Sequence, residues 1–264
     1  MTSSTAARPR VRRSLVAAAV IAVVALCALG VWRPWAAPPV SIGAVDEGGR
    51  AAASVPFVLP DSPRVLIFGD SWTYGSAATL PTDGYAYVVG RELGWDVTVD
   101  GVRGSGYLKP GIDGPSFGDR IAALDPDLAP DLVIVQGSIN DRALYPAGYR
   151  TAVMAAWDAL ADRYPEARFV VLGPAPQVLP VQRATAGIDA DLAELAAVRG
   201  WTYISPIGEN WITRADYGWI IDTGIGRNHP STAGHAYLAA RLADDIRALQ
   251  DAADASREAP APDQ

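Results

Sequence analysis

Five short apolar runs recur through the middle of the chain, at residues 65–68, 97–99, 132–135, 169–172 and 201–204. They are rich in branched and aromatic side chains and too short for helices, so they are expected to be buried strands. Between them, residues 82–93, 146–163 and 184–199 carry apolar residues at helical spacing. In the second of these, Val153, Ala156, Trp157 and Leu160 fall on one face. A last helix is expected over residues 232–249. This alternation predicts an α/β domain of three layers, α/β/α, with a five-stranded parallel sheet covered on both faces. One such domain is expected over residues 61–252, without internal repeats, followed by a solvated, disordered tail at 253–264.

The pattern changes before residue 61. Residues 14–32 carry no charge, and 19 helical residues would span about 28 Å, close to the apolar thickness of a bilayer. Residues 1–13 form a basic leader with Arg8, Arg10, Arg12 and Arg13, which would stay in the cytoplasm and send the rest of the chain outside. A single-pass membrane anchor and a cleaved signal peptide ending near Ala28-Leu29-Gly30 both fit. The anchor is preferred because the run is longer than a usual signal core and Trp32 and Trp35 suit the interface. Residues 33–60, rich in Pro, Ala, Gly and Val, read as an extracytoplasmic linker.

Composition narrows the chemistry. The formal charge of -7 hides an acidic body behind the basic leader, which argues against nucleic acid as a partner. Cys27 is the single cysteine, and His229 and His235 are the two histidines, so neither a disulfide framework nor a cysteine or histidine metal site is expected.

Four stretches at strand ends or before the last helix carry groups suited to acyl transfer. Gly69-Asp70-Ser71 follows the first strand, at the sheet edge where α/β proteins bind ligands; it also suits a plain turn and helix N-cap. The glycines of residues 101–107, GVRGSGY, would let backbone N–H groups approach an oxyanion, or simply make a flexible loop. Asn140 offers a side-chain N–H donor or a turn residue. His229, beside Pro230, is held on a loop, whereas His235 lies inside the last helix and reads as structural. Trp72, Tyr74, Tyr107, Trp211 and Trp219 suit either an acyl or sugar pocket or the core and rim.

In combination these blocks resemble the SGNH/GDSL hydrolase family, over the whole body from 61 to about 250. Ser71 matches the nucleophile, although Trp72 stands where the family's nickname has Leu. Gly104 matches the oxyanion glycine, Asn140-Asp141 the Asn block with Ser138 for a frequent Gly, and His229-Pro230-Ser231 the His block. The resemblance implies a flavodoxin-like SGNH fold and a serine esterase without metal or organic cofactor; the leader would place it outside the cytoplasm, and a monomer is expected. Ser71 would attack an ester, His229 would be its base, and Ser71, Gly104 and Asn140 would form the oxyanion hole. The substrate would be a small-molecule, glycan or lipid ester. An O-acyltransferase or deacetylase of cell-envelope glycans, or a non-catalytic ligand-binding module, would use the same site.

One position departs from the family. Its usual Asp three residues before the catalytic His is here Gly226. Two ways of orienting the imidazole are open: the Gly226 main-chain carbonyl, or Asp222 seven residues upstream reaching inward. A degraded site is the third.

Overall fold

A computed structural model describes residues 57–258. The leader, the 14–32 segment, most of the linker and the last six residues lie outside that range. Among the described residues no helix is long and apolar enough to cross a membrane.

The chain begins with β1 (Arg64–Gly69), a one-turn helix α1 (Ser71–Tyr74) and α2 (Tyr85–Leu93). Then come β2 (Asp96–Gly101), a short α3 (Phe117–Ala122) and β3 (Leu132–Gln136). They are followed by α4 (Tyr149–Arg163), β4 (Arg168–Leu172), α5 (Arg183–Arg199) and β5 (Thr202–Ile204). After α6 (Tyr217–Ile220), a small hairpin of β6 (Ile221–Asp222) and β7 (His229–Pro230) leads into α7 (Thr232–Glu258). The five main strands pair in parallel in the order β2-β1-β3-β4-β5, as the alternation predicts.

Both faces of this sheet are dry. Val65 and Ile67 point with Leu132 and Ile134 into a core closed by Val89 of α2 and Leu238, Leu242 and Ile246 of α7. Leu66 and Phe68 point the other way with Val133 and Val135, against Ile121, Trp157, Leu160, Ile188 and Leu192 of α3, α4 and α5. Each fully buried large side chain contributes about 1.5–3 kcal/mol. The one-residue alternation inside a continuous apolar run is what splits the core into these two halves.

Two boundaries and one element differ from expectation. Phe57 and Leu59 pack on the first core, and the Val58 carbonyl accepts from Arg168 Nε at 2.9 Å, so the domain starts inside the expected linker. The last helix runs nine residues past 249 to Glu258, with Ala253 buried, where a solvated tail was expected. The third is α3, short and anchored by Phe117 and Ile121, which had no counterpart in the pattern.

Candidate active site

Three sheet-edge segments and the β6–β7 hairpin meet in one open cleft of about 720 Å³. Ser71, Gly104, Asn140, Asp222, Gly226 and His229 all line it. These residues come together from positions up to 158 apart in the chain.

The Ser71 segment is built by the turn after β1. Asp70 is the N-cap of α1, its Oδ1 accepting the Trp72 N–H at 2.9 Å, so Ser71 is the first helical residue. The Ser71 N–H thus has no intrahelical partner, and no other acceptor among the described residues takes it. Ser71 Oγ donates to His229 Nε2 at 2.7 Å.

The other ring nitrogen defines the tautomer. His229 Nδ1 lies 2.8 Å from the Gly226 carbonyl, which can only accept, so the proton sits on Nδ1 and the Nε2 lone pair faces the serine. The loop brings that carbonyl close because residue 226 has no side chain. A Cβ there would stand 2.6 Å from the Asp222 Cβ and 2.7 Å from the Ala77 Cβ. Burial holds the imidazole pKa below its ordinary 6.5, partly offset by these backbone hydrogen bonds.

Asp222, expected as a possible carboxylate partner, does not contact the ring. Its Oδ1 accepts the Gly224 N–H at 2.8 Å and its carbonyl accepts the Asn228 N–H at 2.8 Å. Asp222 and His229 face each other as backbone partners in the hairpin, so the aspartate is spent on shaping the loop between them.

On the opposite side, Gly104 has φ of +76°, a backbone conformation that glycine adopts freely. No acceptor among the described residues takes its N–H. Asn140 is less free than expected. Its Nδ2 donates to the Ser105 carbonyl at 2.9 Å and to Asp70 Oδ2 at 3.2 Å. Both amide hydrogens are therefore engaged, and a ligand oxygen would compete for the longer contact to Asp70. Complete burial pushes the Asp70 carboxyl up to about 7.

Several residues that hold this site carried no chemical motif in the sequence. Arg120 is buried and donates to the Gly69 carbonyl, Ser105 Oγ and the Asp100 carbonyl and carboxylate, at 2.6–2.9 Å. It thereby ties the ends of β1 and β2 to the Gly104 loop, and it lies over the Phe68 ring. Asp141 accepts the Tyr107 and Leu108 N–H groups at 2.8 and 3.0 Å, fixing the same loop to the Asn140 segment. The sequence displays Asp141 within a block but gives it no partner; Arg120 has no local cue. Among the aromatic candidates, Tyr74 lines the cleft. Trp72 and Trp211 line a separate apolar pocket, Tyr107 is core, and Trp219 is half exposed.

Similarity to known proteins extends over most of the described residues. Residues 67–237 match the model of the GDSL-like lipase/acylhydrolase family. A GDSL lipase of Mycobacterium tuberculosis is 30% identical over 191 residues, which covers 68% of this chain and 79% of that protein. Among solved structures, a carbohydrate esterase family 2 enzyme with a carbohydrate-binding domain from Corynascus thermopiles superposes with a TM-score of 0.56. It is 18% identical and the match covers 74% of this chain and 68% of that one. A Mycobacterium smegmatis aryl esterase superposes with a TM-score of 0.51 at 18% identity, over 70% of this chain and 98% of that one. The chain therefore belongs to the GDSL-like lipase/acylhydrolase family and is an ester hydrolase of the SGNH type.

Proposed function

We propose that Ser71 and His229 carry the reaction as a two-residue serine esterase whose histidine is oriented by a main-chain carbonyl. His229 Nε2 takes the Ser71 proton as Oγ attacks the ester carbonyl. The imidazolium then returns that proton to the departing alcohol, leaving an acyl-serine. Water attacks the acyl-serine by the same route in reverse and releases the acid. The Ser71 and Gly104 N–H groups, which no acceptor among the described residues takes, would receive the oxyanion, with the Asn140 amide as third donor once it yields its contact to Asp70.

The observation that carries this reading is the unbroken chain from Ser71 Oγ to His229 Nε2, at 2.7 Å, and from Nδ1 to the Gly226 carbonyl, at 2.8 Å. It also weighs against the non-catalytic alternative, whose motive was the absent aspartate. A carbonyl supplies the hydrogen bond that fixes the ring, though not the full charge that would stabilise an imidazolium. A fluorophosphonate probe should label the full-length chain at Ser71 and leave Ser71→Ala unlabelled. Equal labelling of both would sink the assignment.

The 14–32 segment supports an extracytoplasmic location on a single-pass anchor, with a small-molecule, glycan or lipid ester as substrate. An anchored chain should stay in the membrane fraction through an alkaline carbonate wash; a soluble form beginning near Val31 would show a cleaved signal instead.

A further inference from the structure

The charged side chains of the cleft have the opposite sign to the chain as a whole. The chain carries 29 acids against 22 Lys and Arg, yet the cleft is lined by Arg103, Arg142 and Arg227 with Asp222 as the one acid. Their pairing differs. Arg103 is neutralised by Asp113 through two hydrogen bonds, 2.5 Å from Nε and 2.9 Å from Nη2. Asp222 is held by the Gly224 N–H. Arg142 is half-buried, and its Nη1 donates to the Ile139 carbonyl at 3.1 Å; no carboxylate pairs with it among the described residues. The Arg227 guanidinium has no hydrogen-bond or ion-pair partner among them.

Both arginines grow from segments that also carry the chemistry. Arg142 lies two residues beyond Asn140, in the 3₁₀ turn after β3, which sets the direction from which it enters the cleft. Arg227 follows the carbonyl that orients His229, with φ of +51° and its N–H bonded to the Gly224 carbonyl at 3.1 Å. Two unpaired guanidinium groups from different segments thus share one cleft with Ser71. A guanidinium presents a planar fork of donors that matches a carboxylate or phosphate. A cleft with low-dielectric walls concentrates such a field on an entering ligand.

We propose that this site prefers esters bearing an anionic group, carboxylate or phosphate, which Arg142 and Arg227 hold beside the scissile bond. The inference rests on the esterase reading above and adds the substrate's charge to it.

Matched ester pairs isolate charge from shape. For an anion on the alcohol side the pair is 3-acetoxybenzoate and 3-acetoxybenzamide. For an anion on the acyl side it is the 4-nitrophenyl monoesters of adipic acid and adipamic acid. Wild-type full-length protein should turn over the charged member of at least one pair with the higher kcat/KM, and that preference should shrink in high salt. Each of Arg142→Gln and Arg227→Gln should lower the charged-to-neutral ratio about fivefold, in keeping with a partly exposed ion pair. The double variant should lower it by more than about tenfold, and the corresponding Lys variants should retain most of it. Whichever pair responds identifies the side that carries the anion. A ratio that is the same in wild type and double variant for both pairs would overturn the proposal while leaving the esterase intact. Absence of turnover for all four esters would overturn the esterase reading and this inference with it.

Discussion

The two histidines, six positions apart, show how surroundings divide one side chain between chemistry and structure. His229 gives Nδ1–H to the Gly226 carbonyl and keeps a basic Nε2 facing the Ser71 hydroxyl. His235, fully buried, has the other tautomer. Its Nδ1 accepts the Tyr85 N–H at 3.2 Å and its Nε2 donates to the Ser76 carbonyl at 3.0 Å. Both of its nitrogens are consumed by backbone, and its ring stacks on Tyr85. Burial pulls its pKa down to about 4, so it stays neutral across the useful range. The proposed base is thus the histidine whose second nitrogen has been left a reactive partner.

Removing each ring should have the largest effects. His229→Ala should cost about 10⁴-fold or more in kcat with the melting temperature nearly unchanged. His235→Ala should do the reverse, destabilising by about 2–4 kcal/mol because it orphans a buried N–H and a carbonyl. Thermal melts read beside initial rates check both, and equal losses of activity and stability in the two variants would erase the distinction.

A smaller effect is expected on the other side of the cleft. Asn140→Ala should lower kcat by about 10²-fold with KM little changed, since the amide is needed only when negative charge develops. A change in KM alone would make Asn140 a binding residue instead.

The pH profile separates the two rings without mutation. His229 must be neutral to act, so kcat/KM should fall as pH drops through a midpoint below 6.5. Asp70 titrates in a neighbouring range, and the limb should therefore persist in Asp70→Asn. For stability the signs oppose. The lowered pKa of His235 contributes stability that is present above 6.5 and lost as pH falls toward 4. The raised pKa of Asp70 gives the opposite slope, with stability lost as pH rises from about 4 to about 7. Asp70→Asn should therefore steepen the acid-side loss of stability, as followed by denaturant midpoints at a series of pH values.

The placement of His229 beside a proline before the last helix, and of His235 within it, was legible in the sequence. So were the five strands, whose apolar runs are continuous, and the serine at the first strand's end. Less was visible where a hydrogen bond crosses the chain. Nothing near residue 104 announces that Arg120 will pin its loop, and nothing near Asn140 shows its hydrogens taken by Ser105 and Asp70. The extension of α7 was hidden for another reason. Residues 250–257 bury little beyond Ala253 and read as solvated, but Ala, Glu and Arg favour helix and continue one already formed. Gly226 lay between these cases: the missing aspartate was evident, whereas the carbonyl in its place depends on the path of the loop.

That substitution of carbonyl for carboxylate predicts the smallest effect of all. The most direct test is kcat for Asp222→Asn, measured with Ser71 labelling as a check on folding. Loss below about tenfold, with labelling retained, is the predicted result, because the aspartate shapes the loop and does not touch the ring. A drop approaching the roughly 10⁴-fold expected for neutralising a triad aspartate would contradict it and return the role to Asp222.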